Sequence, residues 1–239
     1  MIPEIIAVKT PESLPESDFE HLLSFLPEER VLRIRKFHFM KSALHTLAGE
    51  IIVRTWISKK TSRSPQNLQF IRDQFGKPSL PDNNDLFFNI AHSGHWVAAA
   101  FDCQDIGVDV EFMREIDIAI AKRFFNVKEY ETLMQMEPDL QRSFFYDLWT
   151  LKESYIKAEG RGLSIPLDSF CFTLKKNEPV QFELISGENK RNYFFKQYPF
   201  EQPYKCAVCS STGIFPPEIM TVDFEKLCDD FLSICKLVK

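Results

Sequence analysis

Between residues 86 and 112 three strand-like runs, 86–91, 95–102 and 106–112, follow one another almost without a gap, the last two joined by Cys103-Gln104-Asp105 alone. Long stretches of helical periodicity lie on either side, so neither an all-β nor an all-helical fold is open to this chain. Ahead of the strands come a first strand at 4–9, a helix at 18–25 and a helical stretch at 28–56 broken near 37–41. Behind them, 116–160 reads as up to three helices interrupted at Asn126 and Pro138. Strands at 169–174, 180–185, 191–198 and 205–211 follow, and the tail 222–239 reads as a short helix.

Strand, helices, strands therefore occur twice. The order predicts an α+β protein of two similarly built halves, 1–112 and 113–239, a division that suits 239 residues. The first half also carries a polar linker at 59–65, a strand at 68–72, the turn Gln74-Phe75-Gly76-Lys77-Pro78 and an acidic, proline-bounded loop at 81–85.

Hydrophobic residues make up 44% of the chain and charged residues 26%, which excludes a disordered or fibrous protein. No apolar run reaches the length of a membrane span, and Pro3 and Glu4 stand where a secretory signal carries basic residues, so a cytoplasmic protein is expected. Six scattered cysteines suit a reducing compartment. Cys206 and Cys209 have metal-site spacing, but on a strand they point to opposite faces, which argues against zinc or redox chemistry. The net charge of −5 gives no general affinity for nucleic acid.

Asp109 and Glu111 are i and i+2 on the strand Gly107-Val108-Asp109-Val110-Glu111, so both carboxylates leave one face of the sheet. Chance alone yields about five such acid-x-acid triplets in a chain with this many acids. Phe145, Trp149, Glu153 and Lys157, spaced by four, form one helical stripe that turns from apolar to charged. That stripe ends either in a surface ion pair or in a carboxylate and an ammonium aimed into a cleft. If Glu153 faces Asp109 and Glu111, three carboxylates repel one another unless a divalent cation neutralises them. Oxygen-only ligation selects Mg²⁺ or Mn²⁺, with substrate phosphate oxygens completing the shell beside Lys152 and Lys157.

These residues match a known signature. Gly-Val-Asp-Val-Glu followed by Trp149-Thr-Leu-Lys-Glu-Ser-Tyr-Ile-Lys-Ala-Glu-Gly-Arg-Gly-Leu163 resembles the 4′-phosphopantetheinyl transferases of the surfactin-synthetase-activating (Sfp-like) type. The similarity continues through Phe75-Gly76-Lys77-Pro78, through 88–94 and through 119–129. It implies two halves related by a pseudo-two-fold axis, a monomer, and coenzyme A in the cleft between them. It also implies transfer of 4′-phosphopantetheine to a serine of an apo peptidyl or acyl carrier protein, with release of 3′,5′-ADP and a role in nonribosomal peptide and antibiotic synthesis.

By the same resemblance Asp109, Glu111 and Glu153 hold Mg²⁺ on the coenzyme A diphosphate, Lys157 pairs with a phosphate oxygen and Lys152 lies close by. Glu129 helps remove the serine proton, although Asn126 to Glu129 is equally a capping-box pattern. Arg30 and Arg33 match two positions that hold the 3′-phosphate, and Phe75, Gly76, Lys77 and Pro78 match the adenine-edge loop, Lys77 as a phosphate contact. Thr46 matches a coenzyme-contacting position. His92, in a turn between strands, matches a phosphate-binding histidine. Ala91 stands where relatives carry serine, which leaves Ser93 or the backbone to replace its contact. Residues 113–125 are the expected carrier-docking surface. A Mg²⁺-dependent nuclease or phosphohydrolase would use a similar acid cluster, but a net charge of −5 with no Lys/Arg run gives no hint of the extended basic groove that a nuclease requires. A non-catalytic coenzyme A-binding or carrier-binding module would not need so many like charges in one place.

Overall fold

The computed structural model describes residues 2–81, 83, 85–188 and 191–237. In chain order the elements are β1 (Glu4–Lys9), α1 (Glu16–Leu23), α2 (Glu28–Arg35), α3 (Met40–Thr61), β2 (Ile71–Arg72), β3 (Pro78–Ser79), β4 (Phe87–Ser93), β5 (Trp96–Asp102) and β6 (Ile106–Phe112). They continue with α4 (Ala121–Phe124), α5 (Val127–Met134), α6 (Pro138–Glu159), β7 (Phe170–Thr173), β8 (Gln181–Leu184), β9 (Phe194–Tyr198), β10 (Tyr204–Ser210), β11 (Met220–Val222) and α7 (Phe224–Leu237). Two residues of the expected loop at 81–85 and the last two of the tail lie outside the described residues.

The protein is α+β. One sheet has the order β11-β1-β5-β4 and a second the order β6-β10-β9, and each is covered by a 22-residue helix, α3 on the first and α6 on the second. A third apolar layer, containing Ile5, Ala98, Val108, Val110, Cys206 and Val208, fills the space between the sheets.

The chain does not divide cleanly at residue 112. β6 pairs antiparallel with β10, setting Asp109 opposite Ala207 and Glu111 opposite Lys205, so it belongs to the second sheet. The three-residue turn after β5 makes that crossing, and the fully buried Asp102 at its start accepts hydrogen bonds from the Ser210 and Thr212 hydroxyls. Side chains of β4 then bridge the gap to β6: Val108 N–H donates to Asn89 Oδ1 at 3.0 Å and Phe112 N–H to Ser93 Oγ at 3.1 Å. The tail departs in the other direction. β11, too short to show a period in the sequence, lies parallel to β1, and α7 buries Phe224, Leu227, Cys228, Phe231 and Cys235 on the α3 side.

Cys206 faces the layer between the sheets and Cys209 the α6 side, both as free buried thiols, in keeping with their spacing on a strand. His92, expected in a turn, is instead the sixth residue of β4, opposite Val97. Only Gly94 and His95 make the turn, because Gly94 at φ +61° takes a left-handed conformation where a Cβ would overlap the Tyr204 hydroxyl.

Candidate active site

Gly107 determines how closely β6 and α6 approach. A Cβ at this position would overlap the carbonyl of Ser154 and stand 2.5 Å from the amide nitrogen of Ala158, so the strand lies directly against the helix backbone. Val108 and Val110 point into the central layer, which leaves Asp109 and Glu111 on the opposite face toward α6. From α6, Phe145 packs into the core while Glu153 and Lys157, two and three turns further along the same stripe, reach the carboxylates.

Lys157 Nζ lies 2.6 Å from Asp109 Oδ1, and Glu153 and Glu111 also attract it. Burial alone would lower the pKa of this ammonium, but the three carboxylates more than offset that and raise it. Asp109 is 3% exposed. Burial pushes its carboxyl up to about 7, Lys157 pulls it down, and the charges of Glu111 and Glu153 add to the rise. Glu153 is raised for the same reason, burial first, and Glu111 repels it. Glu111 Oε2 accepts the Ser93 hydroxyl at 2.7 Å.

Asp109 Oδ2 is buried and has no hydrogen-bond partner, a costly arrangement for a carboxylate oxygen. Among the described residues no three acidic, histidine or cysteine side chains are drawn together tightly enough to cage a metal unaided. The donor set nevertheless fits a hard divalent cation: every candidate ligand is a carboxylate oxygen, one of them lacks a partner, and Lys157 is the shared positive charge among them.

Two expected catalytic residues lie elsewhere. Lys152 is fully buried on the far side of α6, with Nζ 2.7 Å from Glu129 Oε2 and donating to the carbonyls of Leu167 at 2.8 Å and Phe170 at 2.9 Å. Phe125, Phe170 and Phe172 surround it. Glu129, 2% exposed, accepts from Asn126 N–H in a complete capping box and from Phe172 N–H at 2.8 Å. The capping-box alternative therefore describes Glu129, and the pair ties α5, α6 and β7 together; neither side chain faces the acids. Lys152 follows Leu151 on the core side of the helix, a face that its charge conceals in the sequence.

The remaining candidates are carried by β4, the β2–β3 hairpin, α2 and α3. His92 is exposed, within electrostatic reach of Lys157. Ser93 is engaged with Glu111 and Phe112, and Ala91 is buried in the central layer. The β2–β3 hairpin presents Phe75 nearly half exposed and Gly76 in a left-handed turn, organised by Asp73 Oδ1, which accepts from the Phe75 and Lys77 amides. Pro78 opens β3. Lys77 Nζ donates to Ala158 O at 2.6 Å, capping the end of α6. Thr46 returns its hydroxyl to Ser42 O, as helical threonines do. Arg30 is held by Glu50, and Arg33 is exposed. Sequence reasoning passed over His45, 7% exposed, whose ring lies 4.9 Å from that of His92 and whose Nε2 has no partner. Burial, then His92 and Lys41, hold it down at about 4. Its only signal was adjacency to Thr46.

Comparison with known proteins matches both parts of the chain. A family model described as the 4′-phosphopantetheinyl transferase superfamily matches residues 105–209, and one described as 4′-phosphopantetheinyl transferase, N-terminal, matches residues 13–104. The chain is 39% identical over 224 residues to the 4′-phosphopantetheinyl transferase Sfp of Bacillus subtilis (strain 168), covering 94% of this chain and 99% of that one. It is equally similar to the 4′-phosphopantetheinyl transferase ffp of Bacillus subtilis. To the 4′-phosphopantetheinyl transferase gsp of Aneurinibacillus migulanus it is 33% identical over 233 residues, 96% of this chain and 95% of the other. The chain belongs to the 4′-phosphopantetheinyl transferase superfamily, as an enzyme of the Sfp type.

Proposed function

We propose that this enzyme moves the 4′-phosphopantetheine group of coenzyme A onto a serine hydroxyl of an apo carrier protein and releases 3′,5′-ADP. The observation that carries the reading is the acid cluster of Asp109, Glu111 and Glu153 around one ammonium, Lys157, at the seam of β6 and α6.

In this reading Asp109, Glu111 and Glu153 would hold Mg²⁺, or Mn²⁺, with the unpartnered Asp109 Oδ2 available as a ligand. When bound, the cation supplies neutralisation of the diphosphate so that phosphorus can accept a nucleophile. Lys157 shifts its ammonium from Asp109 to a diphosphate oxygen and stays beside the leaving phosphate, countering the charge that develops there. The serine oxygen forms the new bond to phosphorus as the bond to 3′,5′-ADP breaks, and the proton of the serine hydroxyl passes to the departing phosphate. Glu129 takes no part, since its oxygens are taken by two amides and Lys152. Coenzyme A occupies the cleft between the halves, with the β2–β3 hairpin at the adenine edge, and residues 113–125 receive the carrier.

The enzyme is further read as a cytoplasmic monomer that binds neither nucleic acid nor membrane. Five buried cysteine thiols, none in a disulfide, support a reducing compartment, and among the described residues no helix is long and apolar enough to cross a membrane. Incubation with apo carrier proteins of peptide, polyketide and fatty-acid synthesis, coenzyme A and Mg²⁺, followed by intact-mass measurement, tests the proposal. A mass gain of one phosphopantetheine supports it, and no gain on any of the carriers overturns it.

A further inference from the structure

β4 ends the first sheet and β6 begins the second, so where they meet two strand edges of different sheets must satisfy each other's polar groups. Side chains do this. Asn89 and Ser93, i and i+4 on one face of β4 and each 8% exposed, accept the amides of Val108 and Phe112, likewise i and i+4 on β6. The tie at Asn89 ends on the backbone. The tie at Ser93 goes further, because its Oγ also donates to Glu111 Oε2 at 2.7 Å.

A hydroxyl offers one proton and two lone pairs. The Phe112 amide, 3.1 Å away, takes a lone pair of Ser93, so the proton is directed at the carboxylate. Glu111 needs such a hold. It is half-buried, its long side chain has several rotatable bonds, and Lys205 stands directly across from it on β10, on the same face of the sheet. Lys205 itself is turned to Asp147, with Nζ 2.9 Å from Oδ1 and 3.0 Å from Oδ2, and Gln197 donates to the same carboxylate at 3.0 Å. Glu111 is thus bound from β4, while the ammonium opposite it is bound from α6.

We propose that Ser93 is a positioning residue, holding the Glu111 carboxylate toward Asp109 and Glu153 so that a divalent cation meets one ligand already set. The inference rests on the reading of that cluster as the Mg²⁺ site. One hydrogen bond on Oε2 leaves most of the roughly four acceptor positions of the carboxylate for the cation. Hydrogen bonds of this kind fix the orientation of a metal-binding carboxylate. Ser93 belongs to the first sheet and Glu111 to the second, so the bond also makes cation binding depend on how the two sheets are docked.

The test measures Mn²⁺ binding to the whole protein with coenzyme A present, from the electron paramagnetic resonance signal of free Mn²⁺, for wild type, Ser93→Ala, Ser93→Thr and Asn89→Ala. Ser93→Ala should weaken binding about tenfold or more. It should raise by a similar factor the Mg²⁺ concentration that half-saturates carrier modification, with kcat at saturating Mg²⁺ far less affected. Ser93→Thr keeps the hydroxyl and should stay within about threefold of wild type. Asn89→Ala removes the other tie between the strands, so it should lower Tm as Ser93→Ala does while leaving Mn²⁺ affinity near wild type. Should Ser93→Ala not fold, Ser93→Cys, a weaker donor of similar shape, takes its place and should weaken binding severalfold. Binding within about twofold of wild type in the alanine variant, or in the cysteine variant where it replaces it, overturns the inference. So does an equal loss in Asn89→Ala, since Ser93 would then act only by docking the strands, and so does a Ser93→Thr with wild-type Tm that binds as weakly as Ser93→Ala. Wild-type protein that binds no Mn²⁺ overturns the reading of the cluster itself, and this inference with it.

Discussion

Replacing Lys152 by Met removes an ammonium that satisfies three acceptors at once: Glu129 Oε2 at 2.7 Å and the carbonyls of Leu167 and Phe170. None of these can turn to water, because Lys152 is fully buried and Glu129 is 2% exposed. Breaking a buried ion pair from one side costs about 3–5 kcal/mol, most of it the uncompensated charge left behind. In a chain of this size each kcal/mol shifts Tm by about 2–4 °C, so Lys152→Met should melt roughly 6–20 °C below wild type. Glu129→Gln keeps an acceptor for one amide but strands the ammonium and should cost a similar amount. The double variant removes both charges, so its loss should fall short of the sum of the singles by about 2 kcal/mol or more. Urea unfolding followed by circular dichroism measures all three. Additive losses, or a Lys152→Met cost below about 1 kcal/mol, would refute the argument that the pair is a buried tie between α5, α6 and β7.

The acid cluster and its surroundings make further outcomes measurable. Asp109→Ala, Glu111→Ala and Glu153→Ala should each reduce carrier modification by about a hundredfold or more while keeping the wild-type circular dichroism spectrum, and full activity in any one removes that residue from the metal site. Gly107→Ala should cost about 3 kcal/mol or more, because its Cβ meets the backbone of α6 rather than a movable side chain; a wild-type urea midpoint would contradict the close approach. His45 titrates at about 4 when folded and near 6.5 when unfolded, so the unfolded chain takes up the proton first. Its contribution to stability is present above pH 6.5 and lost as pH falls from there toward 4, by about 3 kcal/mol at most. His45→Gln should flatten the stability profile over that window, and an unchanged slope would show that the ring is not held neutral.

The periods of the sequence revealed what depends on periods. Alternation placed Asp109 and Glu111 on one strand face, and spacing by four placed Glu153 and Lys157 on one stripe. Their meeting depends on Gly107, whose missing side chain is readable as a family motif but not as a distance. Lys152 and Glu129 misled because charge in a sequence signals exposure or chemistry, whereas here two opposite charges neutralise each other among phenylalanines. Lys77, matched to a phosphate contact, also meets the last turn of α6, a partner 81 positions away that no local pattern encodes. β11 escaped for a similar reason: three residues have no period, and the partner that makes them a strand is at the other end of the chain.

That partner has consequences while the chain is being made. During synthesis the first 112 residues leave the ribosome with the outer edge of β1 unpaired and the apolar side of α3 bare, because β11 and α7 are translated after every strand of the second sheet. An open strand edge beside uncovered leucine and isoleucine is the surface on which nascent chains associate wrongly. The first sheet is therefore completed only after the second has been translated, so fragments ending before residue 220 should collect in the insoluble fraction.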